Sequence, residues 1–211
     1  AGSTDDGHLF LVMEFVPGGS LADRLDFGPL DPMTAVRLGE QVLSGLHHAH
    51  QFGFIHRDLK PENVLLNDMR APTHAKVIDF GLVKMMDDVL GADHSARLTT
   101  TGMVFGTPEY MAPEQIALQT VDARTDLYGF GIVLFEMLTG HKPFEHEEVT
   151  DLWRAHLNEP HPSVAGYGMA NDVAAEFDGV LAGLLAKAPD DRFSTANAAR
   201  RALTHIMGTP A

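Results

Sequence analysis

The sequence predicts a mainly helical α+β domain that carries one small β element. Residues 124–139, RTDLYGFGIVLFEMLT, are apolar almost all round, which is typical of a helix in the centre of a core. Two short β-rich runs, NVLLN at 63–67 and AKVIDF at 75–80, flank a polar loop and indicate a small hairpin. No break in composition along the 211 residues indicates a second domain.

The first elements are marked by local signals. Residues 8–16, HLFLVMEFV, form an apolar, β-rich run closed by a Pro-Gly-Gly turn, which predicts a buried strand. Ser20 followed by Asp23 resembles a capping box and predicts a short helix. The Asp-Pro pair at 31–32 predicts the start of a longer helix that Gly53 ends. The apolar face of that helix is formed by Ala35, Leu38, Val42, Leu46 and Ala49.

The second half of the chain combines a long loop with surface helices. Residues 81–106 have the composition of a loop and include three consecutive threonines at 99–101. A loop of that length in a compact domain is either functional or disordered. The surface helices are expected at 148–158, 172–187 and 195–207, the last capped by Ser194 and ended by Gly208.

Composition excludes several classes of function. The chain has 15 Lys and Arg against 29 Asp and Glu, and a net charge of −14 argues against a nucleic-acid surface. It has no cysteine, hence neither disulfides nor thiolate metal sites. No apolar run is long enough to span a membrane. We expect a cytoplasmic location, although a full-length chain with a membrane anchor stays open, because the start lacks an initiator Met and resembles a cut end.

Four motifs follow one another in a specific order and spacing. They are HRDLKPEN at 56–63, DFG at 79–81, GTPEYMAPE at 106–114 and DLYGFG at 126–131. Together they resemble the catalytic lobe of a eukaryotic-type (Hanks-type) serine/threonine protein kinase, in a bacterial style. The resemblance implies a protein-kinase-like fold with residues 1–18 as the remaining N-lobe strand and hinge. Residues 19–211 would then form the C-terminal large lobe, with the activation segment at 79–114.

The resemblance also implies the chemistry of these motifs. Asp58 would orient the acceptor hydroxyl and receive its proton, and Lys60 would lie on the transferring phosphoryl group. Thr107 would contact both. Asn63 and Asp79 would bind Mg²⁺, with Mn²⁺ as an alternative, because hard oxygen ligands suit such ions.

Further residues carry nucleotide-binding and structural roles by the same resemblance. Those expected around ATP are Met13, Glu14, Val16, Ser20 and Leu65. Those expected to be structural are His56, Phe80, Glu114, Asp126 and Arg192. Among them, His56 would support Phe80, and Glu114 would pair with Arg192. For Asp126, a simple helix N-cap remains an alternative interpretation, since Asp is favoured at that position.

The resemblance implies regulation through the activation segment. Relatives with an arginine directly before the catalytic aspartate are commonly activated by phosphorylation, because the phosphate pairs with that arginine. The regulatory residues expected here are Arg57, Lys84, Thr99 and Thr101. A plain polar loop is the alternative interpretation of the threonines, because Ser and Thr are frequent in loops.

Some parts of a kinase are not found in the sequence. No G-x-G-x-x-G motif occurs, and Lys76 leads into DFG, so it is not the third-strand lysine. We therefore expect little activity from these residues alone and a missing N-lobe or upstream chain as a partner. Other expected partners are Ser/Thr protein substrates and a homodimer for autophosphorylation. A truncated pseudokinase scaffold and a small-molecule phosphotransferase of kinase-like fold are the alternatives.

Overall fold

The architecture is mainly helical with small sheets, as the sequence predicts. The computed structural model describes residues 2–4, 6, 8–10, 12–80 and 107–208. The predicted regulatory residues Lys84, Thr99 and Thr101 lie outside the described residues.

The first sheet differs from the prediction. Strand β1 (Gly2–Ser3) pairs antiparallel with β2 (Leu9–Phe10), and Gly2 lies opposite Phe10. The predicted buried strand over 8–16 is wrong, because β2 ends at Phe10 and the side chain of Phe15 is 85% exposed. No described strand lies beside residues 12–16, so these residues have no ladder partner among the described residues.

The first two helices follow the predicted caps. In α1 (Leu21–Leu25), the Ser20 side chain accepts from the Asp23 backbone, and the Asp23 carboxylate accepts from the Ser20 backbone. This confirms the capping box. Helix α2 (Pro32–Gln51) begins after Asp31. Of its predicted apolar face, Ala35, Leu38, Val42 and Leu46 are buried, whereas Ala49 is half-buried.

The predicted hairpin is confirmed. A 3₁₀ turn (Pro61–Asn63) leads into β3 (Val64–Leu66), which pairs antiparallel with β4 (Ala75–Val77). The turn that contains Gly18 and precedes α1 is also bound to this hairpin, because the Gly18 N–H donates to the Leu66 carbonyl at 2.9 Å. A Cβ on Gly18 would lie 2.4 Å from a backbone nitrogen of the hairpin loop, so only glycine fits there.

The predicted central helix is α4 (Ala123–Thr139), with Asp122 as its N-cap and Gly140 as its C-cap at φ +74°. All but three of its residues are buried. Before it come a 3₁₀ turn (Pro108–Tyr110) and the short helix α3 (Pro113–Ile116). The core therefore surrounds α4 on all sides.

The outer helices are α5 (Val149–Asn158), α6 (Asn171–Leu184) and α7 (Ala196–His205). Helix α6 packs against α4 and α7, and α7 packs against α2. The predicted cap Ser194 is wrong, because Thr195 has the extended backbone of a cap and its side chain accepts from the Ala198 N–H at 3.1 Å. Within the described ranges, every helix is too short or too polar to cross a bilayer.

Candidate active site

Asp58 and Lys60 are joined to a residue far along the chain. The Asp58 Oδ1 accepts from the backbone N–H of Thr107 at 3.0 Å, and its Oδ2 lies 3.2 Å from Lys60 Nζ. Lys60 Nζ also donates to Thr107 Oγ1 at 2.8 Å. The two charged side chains keep 33% and 23% of their surface exposed. The arrangement holds a carboxylate and a cation in fixed positions while leaving both open to a ligand.

Asn63 and Asp79 occupy the two chain ends of the hairpin. The Asn63 Nδ2 donates to the Asp58 carbonyl at 2.8 Å, so its amide oxygen is the atom that can accept a metal ion. The Ile78 N–H donates to the Asn63 carbonyl at 2.9 Å, and the exposed Asp79 follows directly. These oxygen donors therefore lie close to the Asp58 loop.

The side-chain oxygens of Asn63 and Asp79 suit a hard cation that also binds the oxygens of a ligand. Among the described residues, no group of three His, Asp or Glu side chains could hold a metal ion. An ion at Asn63 and Asp79 would therefore take further ligands from water and phosphate, as Mg²⁺ commonly does.

Two residues of the site have backbone conformations that are unusual for side chains with a Cβ. Arg57 has φ +69° and Asp79 has φ +63°. Such left-handed conformations are rare for non-glycine residues and occur most often at functional sites.

The buried Asp126 fixes the loop that carries Asp58. Its carboxylate accepts from the backbone N–H groups of His56 and Arg57, both at 2.8 Å. The side chain of His50 makes a third bond at 2.7 Å. Asp126 is not the N-cap of α4, because Asp122 occupies that position. His50 lies on a mainly polar stretch of α2, yet only 8% of its side chain is exposed.

His56 is a structural histidine. Its Nε2 lies 2.8 Å from the Ile78 carbonyl, which can only accept, and its Nδ1 accepts from the Asp58 N–H at 3.3 Å. These two bonds require the neutral ring with its proton on Nε2. The ring also packs edge-on against Phe80, with 5.1 Å between centroids, as expected.

Glu114 and Arg192 form the expected buried ion pair. Two parallel bonds of 2.8 and 2.7 Å join the guanidinium to the carboxylate, and Thr125 Oγ1 donates to the same carboxylate at 2.7 Å. Arg192 also donates to the carbonyls of Ala186 and Lys187 at 2.8 and 3.0 Å. Burial opposes ionisation of Glu114, but the bonds and charge of Arg192 outweigh it, and the pKa lies below the usual range.

Two further contacts of the site were not predicted. The Gln115 side chain donates to the Arg57 carbonyl at 2.8 Å and accepts from the Ala112 N–H at 3.0 Å. A glutamine three residues after a helix cap is a signal that could have revealed it. The Tyr110 hydroxyl donates to Glu136 at 2.6 Å, and burial raises the pKa of both groups. No local sequence pattern marks this pair.

Three of the residues expected around ATP, namely Glu14, Ser20 and Leu65, lie in or against the hairpin. Leu65 of β3 is bridged to Ser20, which also caps α1. The Glu14 carboxylate contacts Lys76 of β4, directly opposite Leu65. Met13 is 55% exposed. Val16 is half-buried. The segment before α1 therefore meets the hairpin whose ends carry Asn63 and Asp79.

Comparisons with known proteins identify the family of the chain. Residues 3–205 match the family described as the protein kinase domain. The chain is 39% identical over 207 residues to serine/threonine-protein kinase pkn3 of Myxococcus xanthus, covering 97% of this chain and 37% of that protein. It is 37% identical over 193 residues to serine/threonine-protein kinase PknL of Mycobacterium tuberculosis, covering 91% of this chain and 45% of that protein.

A third relative gives the same result. Serine/threonine-protein kinase PknB of Mycolicibacterium smegmatis is 37% identical over 206 residues, which cover 96% of this chain and 31% of that protein. The chain thus spans less than half of the length of these relatives. The resemblance indicated by the motifs is confirmed: the chain belongs to the protein kinase domain family, among the Hanks-type serine/threonine kinases of bacteria.

Proposed function

We propose that the chain provides the large lobe of a serine/threonine protein kinase, which transfers the γ-phosphate of ATP to Ser and Thr hydroxyls of proteins. The observation that carries this proposal is the contact among Asp58, Lys60 and Thr107. It holds an acceptor for a hydroxyl proton next to a cation. Asn63 and Asp79 provide metal-binding oxygens on the adjoining hairpin.

Each group has a defined task in the proposed reaction. The acceptor hydroxyl donates its hydrogen bond to the Asp58 carboxylate, which takes the proton as the oxygen bonds to the γ-phosphorus. The bond between that phosphorus and the bridging oxygen breaks, and ADP leaves. Lys60 neutralises charge on the transferring group. Mg²⁺, or Mn²⁺ in its place, would be held by Asn63 and Asp79 and would neutralise phosphate charge when bound.

Two features support a Ser/Thr protein acceptor over the alternatives. Lys60 stands where the family resemblance separates serine/threonine from tyrosine kinases. The segment 107–114, which begins at Thr107 and is fixed to the core by the Glu114 ion pair, provides a platform for a peptide. A small-molecule phosphotransferase has no need for such a platform.

The proposal also states how the chain is divided into hinge and large lobe, and which elements of the ATP site a small lobe would supply. We infer that residues 1–18 act as the hinge and residues 19–211 as the large lobe. The sequence contains no glycine-rich loop and no third-strand lysine. A small lobe that provides them is therefore the expected partner for tight ATP binding, and these 211 residues alone should transfer little phosphate.

The proposal is tested by comparing full-length wild-type protein with Asp58→Asn, using labelled ATP, Mg²⁺ and a basic protein substrate. Loss of the proton acceptor should lower kcat by about 100-fold or more. Asp172→Asn is the matched control, since this acid is exposed in the first turn of α6, and it should keep wild-type activity.

Three results would contradict the proposal. Equal phosphate transfer by wild type and Asp58→Asn would remove the catalytic role of Asp58. A folded full-length protein without any transfer would favour a scaffold function. Phosphorylation of an aminoglycoside, without any of a protein, would favour the small-molecule enzyme.

A further inference from the structure

Two adjoining cavities lie at the turn of the β3–β4 hairpin, away from Asp58. Their volumes are about 280 and 590 Å³, and Arg24 and Arg70 line both. We call them together the arginine groove. Its charged lining residues are Arg24, Asp31, Arg37 and Arg70, and its apolar ones include Phe27 and Met69.

The groove has an excess of positive charge in a chain whose net charge is −14. Arg24, Arg37 and Arg70 line it together with a single carboxylate, Asp31. That carboxylate already accepts from the Thr34 N–H at 3.0 Å as the cap of α2. The local balance therefore favours an anionic ligand.

These arginines lack the carboxylate partners that four other described arginines have. The described arginines that pair with carboxylates are Arg124, Arg154, Arg192 and Arg200. Within the described residues, no carboxylate oxygen lies as close as 4.0 Å, the limit for an ion pair, to a guanidinium nitrogen of Arg24, Arg37 or Arg70. Arg24 Nη1 donates to the Gly28 carbonyl at 3.0 Å. The nearby Asp68 accepts two backbone N–H groups of its own loop through Oδ1. These bonds and, to a smaller extent, the charge of Arg70 lower the pKa of Asp68, although the two side chains form no ion pair.

The same groove contains exposed apolar surface. The Phe27 side chain is 78% exposed, and Met69 beside it is half-buried. An aromatic ring next to unpaired guanidinium groups suits a ligand with an apolar side chain flanked by carboxylates. Guanidinium forks bind carboxylates through two parallel hydrogen bonds, which adds geometric specificity.

We propose that the arginine groove docks an extended acidic segment of a protein partner, with an apolar side chain against Phe27 and acidic side chains on Arg24, Arg37 and Arg70. The groove lies at the turn of the hairpin, whereas Asn63 and Asp79 lie at its other end. A docked partner would therefore be held at a distance from the acceptor position. Since none of these residues contacts Asp58, the docking proposal can fail or succeed separately from the kinase proposal.

The test is fluorescence anisotropy of the full-length protein with a labelled degenerate peptide pool, in which Asp or Glu flank a central Leu or Phe. A pool with Asn and Gln in place of the acids is the ligand control. We expect the acidic pool to bind and the neutral pool not to, with an affinity that falls steeply as salt rises.

Variants of the protein then locate the binding. The double variant Arg37→Glu with Arg70→Glu should weaken binding of the acidic pool by about tenfold or more, and Phe27→Ser should weaken it severalfold. The charge-matched control is Arg154→Glu with Arg201→Glu, two exposed arginines outside the groove, which should change binding less than about twofold.

Several outcomes would overturn the docking proposal. The acidic pool binding no better than the neutral pool would do so, as would equal loss in the groove and control variants. A phosphorylated peptide that binds more than about tenfold tighter than the acidic pool would make the groove a phosphate site. Binding to phosphatidylserine vesicles but not to peptide would make it a membrane contact.

Discussion

At the scale of single residues, the buried carboxylate of Asp126 connects α2 and the loop that carries Asp58 to the central helix. It lies in the first turn of α4, where the helix dipole favours a negative charge, and it is 2% exposed. Its donors are His50, His56 and Arg57, from α2 and from the loop that carries Asp58. A buried anion is tolerated because it is fully hydrogen-bonded. The shape of the loop therefore depends on a charge in the core.

Asp126→Asn tests this dependence. The amide presents one oxygen instead of two, so at least one buried N–H loses its acceptor. We expect the free energy of unfolding to fall by about 2–4 kcal/mol, measured by denaturant titration. Asp172→Asn replaces an exposed acid in the first turn of α6 and should change it by less than about 0.5 kcal/mol. Equal effects of the two substitutions would refute the special role of Asp126.

At the scale of elements, the turn before α1 is bound to the hairpin at close range. Gly18 donates to the Leu66 carbonyl, and Leu66 donates back to Gly19, both at 2.9 Å. This pair of bonds extends the hairpin toward the residues expected around ATP. The approach is possible only because Gly18 has no side chain, since an added Cβ would lie 2.4 Å from backbone atoms.

Gly18→Ala should therefore separate the turn from the hairpin. Backbone atoms cannot yield as a flexible side chain can, so we expect a loss of about 1–3 kcal/mol in the free energy of unfolding. Gly179→Ala is the control. This glycine lies inside α6, and an added Cβ would have no atom within 4 Å. That variant should be neutral or gain up to about 1 kcal/mol. Thermal denaturation of both variants measures the difference, and a neutral Gly18→Ala would contradict the close approach.

Elements with local signals were predictable from the sequence, and those that depend on neighbours were not. The capping box at Ser20 determines the start of α1 by itself, and the all-apolar composition of α4 requires a central position. By contrast, residues 12–16 have the composition of a buried strand but lack a described strand beside them. The choice between Ser194 and Thr195 as a cap depends on backbone angles that two adjacent hydroxyl residues do not reveal.

The candidate site was predictable in its residue types but not in its supporting contacts. Family motifs identify Asp58, Asn63 and Asp79 as a group. The bond from His50 to Asp126 joins residues 76 positions apart, and the histidine has no distinguishing neighbours in the sequence. Only the packing of α2 against α4 brings them together.

At the scale of the whole molecule, a second buried polar group lies beside α4. His156 of α5 is fully buried, and its Nδ1 lies 3.0 Å from the Tyr128 hydroxyl. Burial, assisted by the charge of Lys187, lowers the pKa of His156 to about 4. Burial and the charge of Arg192 lower the pKa of Lys187 to about 8. Burial thus disfavours the charged forms of these two side chains.

The stability of the fold should therefore depend on pH. In the unfolded chain the pKa of His156 is 6.5, against about 4 when folded, so below pH 6.5 the unfolded state binds a proton that the folded state does not. The contribution of His156 to stability is complete above pH 6.5 and falls as the pH drops toward 4. Between pH 7.5 and pH 5 we expect this residue to account for a loss of about 2 kcal/mol.

Denaturant titrations at pH 7.5 and pH 5 measure that loss. His156→Gln removes the titrating group and keeps an acceptor for the Tyr128 hydroxyl. Between pH 7.5 and pH 5, the free energy of unfolding of this variant should therefore fall by about 2 kcal/mol less than that of the wild type. His146→Gln, at an exposed position, is the control and should retain the wild-type loss. Identical losses in the wild type and His156→Gln would refute the assignment.

The buried carboxylate of Asp126 and its three donors hold the loop that carries Asp58, so the position of this loop is determined by the interior of the molecule and not by its surface helices. None of these donors comes from α5, although α5 packs against the platform at Pro108–Tyr110. Helix α5 and its flanking loops can therefore differ between relatives while the loop that carries Asp58 keeps its shape.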